Sequence, residues 1–226
     1  MLNLIVLLFC FLVSFSVFAD KFPNDVRWVR NSQEYEIICT QIFRDAKLSV
    51  EEHAKSVKLK KPNSVNKRLA VVVDLDETIL DNSLYQIERW KAGLEFTQQS
   101  WSKWVNRKEA GLVPGAKDFL DFVRHKKIQV IFLSNRLDEN LGPTKTNLST
   151  FDLLGKNDIF LLRQEKSDTK EKRRNEVLNG TGRMKSVGPF NVISYLGDQV
   201  GDFPNKNLKD FGKKYFLFPN PMYGKW

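Results

Sequence analysis

Cysteine and histidine are scarce in this chain, with two of each among 226 residues. Cys10 lies in an apolar N-terminal run, and Cys39 falls on the apolar face of a helical pattern, where core packing is its natural role. If the first run is removed, Cys39 stands alone and no intramolecular disulfide can form. Stability then has to come from a packed core. His53 and His125 sit in charged helical contexts and read as helix-surface residues. Internal repeats and low-complexity tracts are also missing, which excludes a repeat array.

Charge is missing from the first nineteen residues, where Leu4 to Phe18 is largely apolar and Val17-Phe-Ala19 precedes Asp20. This pattern reads as a signal peptide over residues 1–19, cut after Ala19, with the mature chain exported to the periplasm or the medium. A retained membrane anchor is the alternative, because the run is only slightly shorter than the roughly 17 residues that span a bilayer. After cleavage no membrane span is expected. Lipidation at Cys10 is not expected either, since bulky Phe9 stands where such sites have a small residue. Roughly 200 residues remain, enough for one sizeable domain.

Acidic residues are outnumbered, 27 against 36 basic ones, and the formal net charge is +9. The basic residues spread over Lys55 to Lys67, Lys103 to Lys108, Arg124 to Lys127 and Lys166 to Arg174. Such a surface favours anionic partners. The basic segments are separate and carry no nucleic-acid-binding motif, so a small phosphorylated molecule is expected as partner, and no nucleic acid. The aromatic, basic surface would allow a homodimer.

What is present has an alternating pattern. From Tyr35, the residues Ile38, Cys39, Ile42, Phe43 and Ala46 recur at helical spacing and predict an N-terminal helical region closed by Pro62. Leu69 to Val73 is a short β-branched run, as in a parallel strand buried on both faces. Similar runs follow at Ile128 to Leu133, Ile159 to Leu162, Val192 to Leu196 and Tyr215 to Phe218. Helical segments such as Ala116 to His125 and Lys170 to Leu178 lie between them, with Asp168 read as the N-cap of the latter. The alternation predicts an α/β fold, a Rossmann-like parallel sheet flanked by helices. An insertion over about residues 82–113, ending at Pro114-Gly115, reads as a small helical cap.

Ligands of such sheets sit beyond the carboxyl ends of the strands. Asp74 and Asp76 follow the first strand, and two such carboxylates are costly to bury without a cation. Asp198 and Asp202 follow a later strand, framed by Gly197 and Gly201. Together the pairs supply the hard oxygen ligands that magnesium prefers. Ser134-Asn-Arg136 follows the Ile128 to Leu133 strand, where a hydroxyl and backbone amides can hold phosphate oxygens. Lys170 opens a helix, where its ammonium can neutralise both phosphate and nucleophile.

With these four groups in this order, the sequence resembles the haloacid dehalogenase superfamily, and within it the bacterial class C nonspecific acid phosphatases. The closer likeness rests on Asp74-Leu-Asp-Glu-Thr-Ile-Leu-Asp-Asn82, Trp101-Ser-Lys-Trp104, Val113-Pro-Gly115 and Pro219-Asn-Pro-Met-Tyr-Gly-Lys-Trp226. The resemblance implies a magnesium-dependent acid phosphatase acting on phosphate monoesters, including nucleoside 5'-monophosphates. Asp74 would be the nucleophile that forms an aspartyl-phosphate, and Asp76 the acid and then the base. Asp74, the backbone carbonyl of Asp76 and Asp198 would hold the metal, with Asp202 in support. Ser134, Asn135 and Lys170 would bind the phosphoryl group, and Trp101 and Tyr223 would stack on a base. For Trp101, packing in the core is an equal alternative; for Trp104 it is the preferred reading. Asp76 must carry a proton while Asp74 is ionised, so a mildly acidic optimum is expected.

Other phosphatase chemistries do not fit. Arg124-His125 lacks the glycine that follows in histidine phosphatases, and Cys39 has Asp45 rather than Arg six positions on. A phosphotransferase on the same residues and a non-catalytic exported binding protein are the competing functions. The intact set Asp74, Asp76, Lys170, Asp198 and Asp202 speaks against the second.

Overall fold

The structure, a computed structural model, describes residues 22–60 and 68–224. The apolar leader, Cys10 and Pro62 lie outside the described residues. Two helices come first, α1 (Asn24–Asn31) and α2 (Gln33–Lys60). Strand β1 (Arg68–Val73) leads into the short β2 (Leu80–Asp81), then α3 (Ser83–Lys91), α4 (Gln98–Arg107) and β3 (Gly111–Leu112). The chain continues through α5 (Ala116–His125), β4 (Gln129–Leu137), α6 (Leu141–Ser149), β5 (Ile159–Arg163), α7 (Lys170–Asn179), β6 (Phe190–Gly197) and β7 (Tyr215–Leu217).

Five parallel strands form the main sheet in the order β5-β4-β1-β6-β7, so β1 is central. The expected α/β class is the observed one. The unbroken apolar run of β1 follows from its two buried faces. Val71 and Val73 join the core formed with Cys39 and Phe43 of α2 and Phe119 of α5. Ala70 and Val72, pointing the other way, join Val177 of α7 and Met184. Each such fully buried valine contributes about 1.5–3 kcal/mol.

The buried stripe of α2 is Tyr35, Cys39, Phe43, Ala46 and Val50, at steps of three and four. Ile38, expected on that face, is instead exposed. A residue one step from the stripe centre turns about 100° away from the α5, β6 and β7 contacts that the stripe makes.

Two further boundaries differ from the sequence reading. β4 runs on to Leu137, with its pairing to β5 broken between Leu133 and Leu137, so Ser134 to Arg136 lie at a register irregularity inside the strand rather than after it. At α7 the N-cap is Thr169, whose side chain accepts from the Lys172 N–H at 3.1 Å. Asp168 instead accepts from the Gln164 N–H at 3.0 Å and pairs with Arg183, because it turns inward and is buried.

β2 and β3 pair antiparallel, Leu80 opposite Leu112 and Asp81 opposite Gly111. The segment carrying α3 and α4 thus leaves and rejoins the body at one place. Among the described residues no helix is long and apolar enough to cross a membrane.

Candidate active site

Asp74 stands one residue past β1, its N–H donating to the carbonyl of Leu196 in β6 at 2.9 Å. The chain then turns tightly, with the N–H groups of Ile79 and Leu80 both donating to the Leu75 carbonyl. Glu77 takes φ 56° to close this turn, a left-handed conformation unusual for a residue with a side chain. Its Oε1 accepts from the Asn82 N–H at 2.9 Å, while buried Oε2 has no protein partner among the described residues.

Lys170, at the first position of α7, donates to Asp74 Oδ1 at 2.7 Å and also bonds Asp202 Oδ1. Asp202 Oδ2 accepts from the Gln199 N–H at 3.0 Å. Its side chain lies so close to Gly197 that a Cβ there would overlap it, which explains the glycine at the end of β6. Asp198 Oδ2 accepts from Asn220 Nδ2 at 2.8 Å, and Asn220 Oδ1 in turn accepts the N–H groups of Met222 and Tyr223. The C-terminal segment is thereby tied to the acidic cluster.

Carboxylate oxygens of Asp74, Asp198 and Asp202 lie within 4.8 Å of one another. Burial pushes Asp74 well above the usual carboxylate range; Lys170 pulls it down, and Asp202, Asp198 and Asp76 push it further up. Asp198 is pushed up to about 7, chiefly by burial and then by Asp202. Burial works against the Lys170 charge, yet Asp74 and Asp202 hold its pKa above the ordinary lysine value. One ammonium does not balance this cluster. A dication with a taste for hard oxygen ligands fits the three carboxylates and would relieve their repulsion.

Ser134 is buried, its Oγ accepting from the Arg136 N–H at 3.1 Å and lying 3.4 Å from Asp76 Oδ2. Asn135 is exposed, its Oδ1 held by Arg173 Nη2 at 2.7 Å. The four sequence-selected carboxylates, with Lys170 and Ser134, therefore meet where β1 and β6 end and the pairing of β4 with β5 breaks. Tyr223 is half-buried beside the Asn220 anchor. Trp101, 8% exposed, packs against Tyr85 at 5.0 Å and Phe96 at 6.2 Å between ring centres. Phe96, 61% exposed, presents the open aromatic face of this group.

Sequence reasoning passed over Arg136, Asn82, Asn220 and Arg173. Arg136 is fully buried and pairs with Asp76, Nη2 to Oδ1 at 2.7 Å. The one available signal was its position two residues past Ser134, in the same segment of the chain.

Similarity to known proteins agrees with this arrangement. The chain matches the family HAD superfamily, subfamily IIIB (acid phosphatase) over residues 6–226. It belongs to that family. Among solved structures it is similar to the class C acid phosphatase from Bacillus anthracis with tungstate bound, at 28% identity and a TM-score of 0.74, covering 88% of this chain and 84% of that one. Another structure of the class C acid phosphatase from Bacillus anthracis gives 29% identity and a TM-score of 0.73 over the same shares. A curated relative, the stem 31 kDa glycoprotein of Glycine max, is 23% identical over 157 residues. That match takes in 67% of this chain and 58% of the soybean protein's length.

Proposed function

We propose that this chain is an exported, magnesium-dependent acid phosphatase that hydrolyses phosphate monoesters, nucleoside 5'-monophosphates among them. The observation that carries the reading is the convergence of Asp74, Asp198 and Asp202, with Lys170 bonded to two of them. The Bacillus anthracis enzyme binds tungstate, a tetrahedral oxoanion like phosphate, and this supports an oxoanion site in the present chain as well.

The metal, held by Asp74, Asp198 and the backbone carbonyl of Asp76 with Asp202 in support, would neutralise charge on the nucleophile and the phosphoryl oxygens. Asp74 attacks phosphorus to form an aspartyl-phosphate, and Asp76 gives a proton to the leaving oxygen. Lys170 and the Ser134 hydroxyl hold the phosphoryl oxygens, with Asn135 at the rim. Asp76 then takes a proton from the water that releases phosphate. Positioning and charge neutralisation do most of the work in such a transfer. Tyr223 and Phe96, with Trp101 packed behind the latter, would offer faces to a nucleobase.

Hydrolysis of a panel of phosphate monoesters, with magnesium or with chelator, tests the reading beside Asp74→Asn. Activity is expected only in the magnesium-loaded parent protein. An inert parent protein, or an equally active Asp74→Asn, would sink it.

A further inference from the structure

Asp76 is gripped on one oxygen. Its Oδ1 accepts from Arg136 Nη2 at 2.7 Å, Arg136 Nε at 2.9 Å and Asn82 Nδ2 at 3.0 Å. Among the described residues its Oδ2 has only the longer contacts, 3.3 Å to Arg136 Nε and 3.4 Å to Ser134 Oγ. A carboxylate oxygen has about two lone-pair sites, so three donors fill Oδ1 and leave Oδ2 as the place for an exchangeable proton.

The grip is itself braced. Arg136 Nη1 donates to Thr144 Oγ1 at 3.1 Å, which fixes the guanidinium plane. Asn82 is fully buried, and its Oδ1 accepts from Trp104 Nε1 at 2.8 Å and from Arg136 Nη2 at 3.4 Å. Trp104 belongs to α4, so a helix of the insertion supplies the last strut.

We propose that Arg136 is a positioning residue for proton transfer by Asp76, with Asn82 and Trp104 completing the brace, so that Oδ2 alone exchanges a proton with the leaving group. The inference rests on the reading of Asp76 as acid and base. As the bond from phosphorus to the leaving oxygen breaks and the bond to Asp74 forms, the proton moves from Oδ2 to that oxygen. In the second half, water oxygen bonds phosphorus, its proton passes to Oδ2 and Asp74 is released. Charge-assisted hydrogen bonds are roughly twice as strong as neutral ones, so the guanidinium fork holds the Asp76 carboxyl in one orientation. A lysine, a single point charge without the planar fork, would not reproduce the two-pronged grip.

The test is the ratio of kcat/KM for 4-nitrophenyl phosphate, whose leaving oxygen needs little protonation, to that for an alkyl phosphate, whose oxygen needs it. It is measured on the magnesium-loaded protein and on Asp76→Ala, Arg136→Lys and Trp104→Phe. Asp76→Ala is expected to lose about 100-fold or more on the alkyl ester and much less on the aryl ester. Arg136→Lys should show the same preference at about tenfold, and Trp104→Phe a smaller effect of the same sign. Equal losses on both esters in Arg136→Lys and Trp104→Phe, while Asp76→Ala discriminates, would overturn the positioning role and leave a structural one. A flat Asp76→Ala would overturn the underlying reading instead. Should Arg136→Lys not fold, as judged by circular dichroism, Trp104→Phe decides alone.

Discussion

Replacing Arg173 with methionine should destabilise the protein through carbonyl groups it leaves behind rather than through charge. The side chain is fully buried on the inner face of α7. It donates to the carbonyls of Ser134, Leu161 (3.0 Å), Asp168 (3.2 Å) and Thr169 (3.3 Å), and to Asn135 Oδ1 at 2.7 Å. Burial pushes its pKa down to about 10, with Asp168 opposing, so it remains charged at neutral pH. Methionine keeps the length and much of the packing but no donor. Each buried acceptor left without a partner costs about 1–3 kcal/mol. Relief of the guanidinium desolvation offsets part of this. Asp168 keeps Arg183 and the Gln164 N–H, so no buried charge is stranded. The balance is a loss of about 3–4 kcal/mol, a large share of the roughly 5–15 kcal/mol typical of a domain. With urea slopes of about 1–3 kcal/mol per molar, the midpoint should fall by roughly 1–4 M. A fall below about 0.3 M at unchanged slope would refute this bookkeeping.

Acid stability should depend on Asp168. Burial acts to raise its pKa, but the Gln164 N–H and Arg183 outweigh that and hold it below the ordinary 3.8. The folded state thus favours the ionised form; its stabilisation is complete above the ordinary value and is lost as pH falls through the lowered one. Unfolding of Asp168→Asn followed from about pH 5 to pH 2 should therefore show a shallower acid loss than the parent protein, and parallel curves would contradict it. Magnesium at about 100 times its dissociation constant should add about 2.7 kcal/mol of stability, read as a higher thermal midpoint that Asp198→Asn abolishes. An unchanged midpoint in the parent protein would remove the cation from the acidic cluster.

The strands were legible because a strand buried on both faces writes an unbroken β-branched run, as Leu69 to Val73 does. The acidic pairs were legible because carboxylates after such runs have few structural reasons to be there. Arg136 and Arg173 were not, since a buried arginine has the same letter as a solvated one, and only the folded contacts distinguish them: Asp76 and Thr144 around Arg136, the carbonyls of Ser134 and Leu161 around Arg173. The same limit hid the inward turn of Asp168: two adjacent residues, Asp168 and Thr169, were both competent caps, and the choice depended on Arg183, fourteen residues beyond Thr169 in sequence. Ser134 was found by its place in the chain, whereas the break in the β4–β5 register that presents it leaves no compositional mark.

The antiparallel pair of β2 and β3 brings the two ends of the α3–α4 segment together across two residue pairs. The hinge is narrow but the segment is not separate, because Tyr85 of α3 and Trp101, Trp104 and Val105 of α4 share one core with β1, α2 and α5, so any replacement has to refill that core. It must also bring its own donor for the Asn82 oxygen, or the Asp76 carboxyl loses the far end of its brace.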